Sequence, residues 1–315
     1  MDTRPGRYAA IDIGTVTCRL LIADIDEQGG ITELHRDYAI CNLGVGVDKT
    51  GHLEPAAIDR IAAAVERFSE ALNTWQTDTP IAVRTCATSA SRDADNAAEF
   101  KERMATFGIA PEVIPGKEEA ALSFAGATSA FPGETVAVAD IGGGSTEIIA
   151  GMAGATPAHA HSFDIGCRRV TERFFTQDPP TEDECAMARA WIAEEFAPYL
   201  EMLKNKGLLS NRLIAVAGTA TSVISMREQM QVYDSNRVHG AVATCADIDA
   251  LIGRIAPMTL AERQQIVGLD PGRAPVILAG LLIMRQLLET AGLDSFTASE
   301  RDILHGIILG MAQQA

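Results

Sequence analysis

Three consecutive glycines follow an apolar run in the segment Asp140-Ile-Gly-Gly-Gly-Ser-Thr146. Because glycine has no Cβ, the backbone N–H groups of such a loop can converge on an anion. The hydroxyls of Ser145 and Thr146 add donors, and the Asp140 carboxylate at the strand end can hold Mg²⁺ directly or through water. These residue types predict a loop that binds a phosphate group beside a divalent cation.

A second segment near the N-terminus has the same pattern. Ala10-Ile-Asp-Ile-Gly14 matches Val138-Ala-Asp-Ile-Gly142, and in both copies small polar residues and a second apolar run follow. Two copies, one in each half of the chain, predict a duplicated α/β domain. We expect the two loops to hold a phosphate chain from both sides, with Thr15 and Thr17 as donors in the first. The alternative is a pair of ordinary glycine hairpin turns.

Two further segments combine charged and hydroxyl side chains near helix starts. Residues 84–96 contain Arg84, Arg92 and several hydroxyls at a strand-to-helix transition, where backbone N–H groups favour anions. The serines there are equally well explained as helix N-caps. Gly116-Lys-Glu-Glu-Ala120 places two carboxylates in a first helical turn, where surface acids are also stabilised by the helix dipole.

The elements that would position these residues alternate between strands and helices. Strands are predicted at Tyr8–Asp12, Arg19–Asp24, Ile81–Thr85, Glu112–Ile114, Thr135–Asp140, Ser145–Ala150 and Leu213–Ala217. Helices are predicted at Ile58–Leu72, Ala94–Phe107, Lys117–Ala130, Glu182–Lys204, Ala246–Ile255, Ala274–Ala291 and Arg301–Ala312. A break near residues 125–135 separates an N-terminal domain, 1–128, from a C-terminal domain, 129–315. The sequence leaves open whether the final helix packs on the first domain or on the second.

Composition narrows the possible functions. The 315 residues include 26 Lys and Arg against 42 Asp and Glu, for a net charge of −16, which disfavours general binding of nucleic acid or anionic membrane. The six cysteines form no CxxC pair, as in reduced cytosolic proteins. The most apolar stretch, Val276–Met284, is too short to cross a bilayer, and no signal core is present. We therefore expect a cytoplasmic protein that binds neither nucleic acid nor membrane.

Taken in chain order, the motifs resemble those of the Ppx/GppA phosphatases, which are exopolyphosphatases and guanosine pentaphosphate phosphohydrolases. They are Asp12-Ile-Gly-Thr15, Arg19-Leu-Leu21, Thr88-Ser-Ala-Ser-Arg-Asp-Ala-Asp-Asn96, Gly116-Lys-Glu-Glu-Ala120, Asp140-Ile-Gly-Gly-Gly-Ser-Thr-Glu147, Phe174-Phe-Thr-Gln-Asp-Pro-Pro-Thr181, Ala217-Gly-Thr-Ala-Thr-Ser222 and Val238-His-Gly240. The resemblance implies an α/β fold class: two RNase H-like domains of the actin-like (sugar kinase/Hsp70/actin) ATPase fold, with the active site in the interdomain cleft.

The resemblance also implies roles for individual residues. Glu119 corresponds to the catalytic base that orients or deprotonates the attacking water. Asp140, together with Asp12, would hold Mg²⁺ or another divalent cation. The implied phosphate-binding residues are Gly14, Thr15, Thr17, Arg19, Arg92, Gly143, Gly144, Ser145, Gly218 and Thr219. Two departures stand out: Val16 replaces an asparagine that is common in the family, and the stretch Asp302–Gly306 lacks an arginine that many members have.

The activity that follows is hydrolysis of the terminal phosphoanhydride of inorganic polyphosphate. Hydrolysis of pppGpp to ppGpp is the first alternative. An ATP-dependent kinase of the same fold and a sensor that binds (p)ppGpp or polyphosphate without turnover are the others. A homodimer is implied by the resemblance alone.

An acidic enzyme that acts on a polyanion needs local cations. The candidates are Arg19, Arg84, Arg92, Lys117, Arg168 and Arg169. The alternative is that these cations pair with nearby acids such as Asp93, Glu118 and Glu172.

Overall fold

The computed structural model describes residues 3–209 and 212–314. The chain forms two compact units, one of Met1–Gly126 together with Ile303–Ala315 and one of Ala127–Asp302. The final helix is therefore part of the first unit. In the described part of the chain, no helix combines the length and apolar composition needed to cross a bilayer.

The first unit is built on a five-stranded sheet of order β3-β2-β1-β4-β5. Its strands are β1 (Gly6–Ile13), β2 (Thr17–Ile25), β3 (Ile31–Ile40), β4 (Ala82–Ala87) and β5 (Glu112–Val113). Strands β1, β2 and β3 pair antiparallel, whereas β4 and β5 run parallel to β1. The polar strand β3 was not predicted, because an edge strand needs no continuous apolar run.

Helices cover both faces of this sheet. They are α1 (Val47–Thr50), α2 (Pro55–Thr74), α3 (Ser89–Asp93), α4 (Ala97–Ala105), α5 (Gly116–Thr128) and, at the chain end, α13 (Ile303–Gln314). Alternate residues of β1 enter different cores: Ile11 lies with Phe68 of α2, and Ala10 lies with Ile307 of α13. A strand buried on both faces reads as a continuous apolar run, as the sequence does here.

The second unit repeats this arrangement. Its strands are β6 (Thr135–Ile141), β7 (Thr146–Met152), β8 (His159–Phe163), β9 (Leu213–Val216), β10 (Val242–Thr244) and β11 (Ser295–Ala298), in the order β10-β11-β9-β6-β7-β8. The antiparallel series β6-β7-β8 and the parallel neighbours β9 and β11 correspond to β1-β2-β3, β4 and β5. The predicted duplication and the predicted α/β fold class, with one mixed sheet in each of two units, are confirmed.

Seven helices and one 3₁₀ turn lie between or after the strands in the described part of the second unit. They are α6 (Cys167–Phe174), α7 (Glu182–Asn205), α8 (Ala217–Arg227), α9 (Ser235–Val238), α10 (Cys245–Ile255), α11 (Leu260–Arg263) and α12 (Ile277–Ala291), with a 3₁₀ turn at Pro271–Arg273. Helix α7 begins at a capping box of Thr181 and Glu184, which explains why its start was predicted correctly. Helix α12 packs against α7.

Candidate active site

The two Asp-Ile-Gly segments form hairpins with the same backbone. In the first, the Gly14 N–H donates to the Thr17 carbonyl at 2.9 Å; in the second, the Gly142 N–H donates to the Ser145 carbonyl at 3.0 Å. A Cβ on either glycine would lie 3.2 Å from that carbonyl oxygen, tighter than most Cβ contacts. The repeat seen in the sequence therefore encodes one turn geometry, used twice.

In the first hairpin, the negative charge of Asp12 is neutralised by Arg19 of the same hairpin. Asp12 on β1 is in register with Arg19 on β2. The Arg19 guanidinium donates to Asp12 Oδ2 from Nη2 at 2.6 Å and from Nε at 3.1 Å. The predicted metal ligand and a predicted substrate contact thus form an ion pair with each other.

The loop of the first hairpin is packed against the protein. Thr15 and Val16 are both buried. A Cβ on Gly44 would lie 2.3 Å from the Thr15 methyl group, and the Val16 carbonyl accepts bonds from the backbone N–H groups of Cys41 and Asn42 at 2.9 Å each. Val16 is therefore part of the apolar core at this position.

The second hairpin has an acid where the first has arginine. Asp140 on β6 is in register with Glu147 on β7, and these residues are only 8% and 1% exposed. The Ser162 hydroxyl donates to Glu147 Oε1 at 2.6 Å. Sequence analysis identified Asp140 but gave Glu147 no role, because the strand register that places them opposite each other is not visible in a motif.

The donor set of the second hairpin fits a magnesium ion. Among residues 3–209 and 212–314, no group of three or more His, Cys, Asp or Glu side chains could hold a metal. Mg²⁺ needs no such cage, since it usually takes one or two carboxylates and completes its shell with water and substrate phosphate. Asp140 and Glu147 supply that number of oxygen ligands.

The glycine loop is held from one side by the start of α6. The N–H groups of Cys167 and Arg168 donate to the carbonyls of Gly142 and Gly143 at 2.9 and 2.8 Å, and Arg169 Nε donates to the Gly144 carbonyl at 2.9 Å. In a trans peptide, C=O and N–H point in opposite directions. The N–H groups of Gly143, Gly144 and Ser145, which belong to these three peptides, therefore point away from α6, as donors to a phosphate would.

A close approach of backbones makes this contact possible. A Cβ on Gly166 would lie 2.2 Å from the Gly143 carbonyl oxygen, so only glycine fits there. No local pattern marks Gly166, because its partner Gly143 lies more than twenty positions earlier in the chain.

The turn from β9 into α8 contributes the third loop. Ala217 has a positive φ of 64°, and the guanidinium of Arg273 lies directly on Gly218, where an added Cβ would be 1.5 Å from Nη1. Burial raises the pKa of the Cys167 thiol, and the positive charges of Arg168 and Arg273 act against that rise. The structure thus brings Arg273, which sequence analysis missed, next to the predicted Gly218-Thr219 loop; its only local signal was the Asp-Pro-Gly turn that precedes it.

The first unit carries the predicted base. Glu119 lies in the first turn of α5, where the N–H groups of Glu118 and Glu119 both donate to the Pro115 carbonyl, at 2.9 and 3.1 Å. Arg92 Nη1 donates to Glu119 Oε2 at 3.2 Å and to the Ile114 carbonyl at 3.1 Å. Glu119 is 8% exposed. The structure brings together two residues, 27 positions apart, that the sequence had marked separately.

Most of the predicted cations are ion-paired. Arg19 pairs with Asp12, and Arg92 with Glu119. Arg84 contacts Glu112 and Glu118, and Arg168 lies 3.9 Å from Glu172. Pairing with nearby acids, the alternative considered from sequence, therefore describes these four arginines, and two of the expected partners were named correctly.

Comparisons with known proteins agree with this architecture. The model of the Ppx/GppA phosphatase family matches residues 21–315. The chain is 39% identical to a Mycobacterium tuberculosis protein named Exopolyphosphatase 2, over 97% of this chain and 98% of that protein.

Solved structures give the same result. One of an exopolyphosphatase-like protein has a TM-score of 0.89 and 34% identity, covering 99% of both chains. One of an exopolyphosphatase from Cytophaga hutchinsonii has a TM-score of 0.88 and 26% identity, covering 98% of this chain and 99% of the other.

Proposed function

The chain belongs to the Ppx/GppA phosphatase family, and from this premise we propose that it hydrolyses the terminal phosphoanhydride of inorganic polyphosphate and releases orthophosphate. The family makes it a hydrolase. Its similarity along almost the entire length to a protein named Exopolyphosphatase 2 supports polyphosphate as the substrate. The structural observation that carries the proposal is the buried Glu119 carboxylate held by Arg92.

Glu119 is assigned as the general base. A carboxylate at hydrogen-bond distance from a water in line with the terminal phosphorus can orient that water and take its proton. The bond from Arg92 to Oε2 restrains the direction of the carboxylate. A base with a fixed direction avoids the loss of rate that a misplaced catalytic group causes.

The loops of the two hairpins and the Gly218-Thr219 turn are assigned to the phosphate groups. Their N–H groups, with the arginines beside them, would stabilise the charge on the phosphoryl oxygens. Asp140 and Glu147 would hold a magnesium ion, which would neutralise part of the phosphate charge when bound. None of these groups needs to form a covalent bond with the substrate.

Replacement of Glu119 by Gln tests the assignment. Gln keeps the shape of the side chain but cannot accept a proton, so we expect kcat for phosphate release to fall about 10²–10⁴-fold with little change in substrate binding. Glu102→Gln, on an exposed part of α4 in the same unit, is the matched control and should keep wild-type kcat. A Glu119→Gln variant with more than about a third of wild-type kcat would remove Glu119 from the role of base.

The substrate is tested by measuring phosphate release from polyphosphate and from pppGpp side by side, with Mg²⁺ present. The proposal expects the higher kcat/KM on polyphosphate. A clear preference for pppGpp would replace the proposed substrate, and no release from either compound would contradict hydrolysis of phosphoanhydrides.

A further inference from the structure

Two neighbouring glutamates in the first turn of α5 are held by arginines from different elements. Arg92, on α3, donates to Glu119 at 3.2 Å. Arg84, on β4, donates from Nη2 to Glu118 Oε1 at 2.6 Å. Glu118, which precedes the proposed base Glu119, is therefore held by a different arginine from the one that holds Glu119.

Arg84 joins three elements of the first unit. It lies on β4 in register with Ala10 of the central strand β1. Besides Glu118, it contacts Glu112 of β5, whose Oε2 accepts from Nε at 3.1 Å and from Nη2 at 2.9 Å. Burial alone would lower the pKa of Arg84, but the hydrogen bonds that it donates to Glu118 and Glu112 outweigh the effect of burial and raise that pKa. The guanidinium is therefore charged at every relevant pH and anchored to the sheet.

Because Glu118 and Glu119 are adjacent in one helix, the hydrogen bond from Arg84 to Glu118 also affects the orientation of Glu119. Adjacent helical residues point about 100° apart, so a contact that holds the Glu118 carboxylate restrains the rotation of this first turn about the helix axis, and with it the direction in which the Glu119 side chain leaves the backbone. The first turn is where a helix is least restrained, since its N–H groups lack partners within the helix. Here the N–H groups of Glu118 and Glu119 share one acceptor, the Pro115 carbonyl. The side-chain bonds of the two glutamates thus add restraint where the backbone supplies little.

The contact between Arg84 and Glu118 also reduces the repulsion between the negative charges of Glu118 and Glu119. Without Arg84, the ionised Glu118 would add its negative charge beside Glu119 and would compete with it for Arg92. With Arg84 present, each glutamate has its own guanidinium.

We propose that Arg84 is a positioning residue for hydrolysis, which acts through Glu118 to hold the Glu119 carboxylate in its working direction. The proposal rests on the proposed function, since it takes Glu119 as the base. It adds a residue that does not itself touch the substrate.

The test compares Arg84→Gln with wild type in steady-state phosphate release from polyphosphate. A misdirected base should lower kcat about tenfold to a hundredfold while KM stays within about twofold. The acid limb of the pH–rate profile should move to higher pH, because an unpaired Glu118 charge then faces Glu119. Arg84→Lys, which keeps one charge but not the two-sided guanidinium contact, should recover part of the lost kcat.

A double variant separates positioning from a general structural role. If Arg84 acts through Glu119, Arg84→Gln should cost little once Glu119 is already Gln, so the two losses should be strongly non-additive. Arg103→Gln is the matched control, since Arg103 lies on α4 in the same unit and has a long surface contact of 3.9 Å with Asp59. It should leave kcat unchanged.

Several results would overturn the proposal. They are a kcat for Arg84→Gln within about twofold of the Arg103→Gln control, an unmoved pH profile, or fully additive losses in the double variant. If thermal melting shows that Arg84→Gln does not fold, Glu118→Ala gives the decision, because it removes the acceptor through which Arg84 acts. A fall in kcat would then support the proposal, and a kcat within about twofold of the Arg103→Gln control would overturn it. If the wild-type protein hydrolyses pppGpp but not polyphosphate, the proposed substrate is overturned. The role of Arg84 would then still be decided, by comparing kcat of the variants on pppGpp.

Discussion

The two hairpins of this protein share a backbone and differ in charge. Asp12 and Asp140 occupy the same place in their turns, and each faces one residue of the next strand in register. In the first hairpin that residue is Arg19, and in the second it is Glu147. The residues that face each other are therefore an ion pair in the first hairpin and two buried carboxylic acids in the second.

The difference shows how two copies of one fold can keep the same backbone turn and acquire different charges. The turn is fixed by backbone bonds and by a glycine, which do not depend on the facing side chain. That side chain is free to set the charge. The Arg19 guanidinium on Asp12 weakens the attraction of that carboxylate for a further cation, so we expect replacement of Asp12 to change Mg²⁺ binding less than replacement of Asp140, the other metal ligand predicted from sequence.

The largest expected effect comes from replacing the two aspartates in turn. Asp140→Asn should lower kcat at least about a hundredfold, since a bound metal is worth several kcal/mol of charge stabilisation and each 1.36 kcal/mol is about tenfold in rate. Asp12→Asn should mainly raise KM a few-fold, because Arg19 loses its partner, and should keep the half-saturating Mg²⁺ concentration within about twofold. Rates measured over a Mg²⁺ series check both. An equal rise of that concentration in both variants would show that the two hairpins do not differ in this way.

A smaller effect is expected from the residue that faces Asp140. Glu147→Gln makes the second hairpin less acidic with almost no change in volume, and we expect the half-saturating Mg²⁺ concentration to rise about 10–100-fold. Ser162→Ala is the control, because it removes the hydrogen bond to Glu147 while leaving the charge in place. Direct Mn²⁺ binding, followed by electron paramagnetic resonance, measures the same change without turnover. If Ser162→Ala weakened binding as much as Glu147→Gln, the hydrogen bond rather than the charge would matter.

The smallest effect concerns the third strand of each sheet. On β3, Glu33 accepts a bond from the buried His305 of α13 at 2.9 Å, whereas on β8 His161 stacks on Tyr199 at 5.3 Å between ring centroids. The bond from His305 lowers the pKa of Glu33, against the effect of burial, and Arg36 adds to the lowering.

A folded-state pKa below the unfolded value stabilises the protein above the unfolded pKa, and this stability is lost as pH falls through the folded pKa. Glu33→Gln should therefore lower the melting temperature slightly at pH 5–6, and the difference from wild type should shrink below about pH 4. Glu70→Gln, on the exposed face of α2, is the control. A difference that grows toward low pH would contradict the assignment.

Local patterns in the sequence determined the duplication, the alternation of strands and helices, and the places of several candidate site residues in turns and at helix starts. The two Asp-Ile-Gly segments became matching hairpins, and Glu119 lies in the first turn of a helix, as its motif predicted. Helix α2 covers the predicted range Ile58–Leu72 and buries Ile58, Ile61, Val65 and Phe68 at helical spacing. These features could be predicted because turn type, helix start and apolar periodicity depend on neighbouring residues.

Contacts between distant residues were decided only by the tertiary structure. Strand register places Arg19 on Asp12 and Glu147 opposite Asp140, and packing brings Arg84 to Glu118 and Arg273 to Gly218. Strands β3 and β8 escaped prediction because they lie at sheet edges, where one side needs no apolar cover. A motif records which side chains are present. Which guanidinium meets which carboxylate depends on how strands align and helices pack, and those choices are made by the whole folded chain.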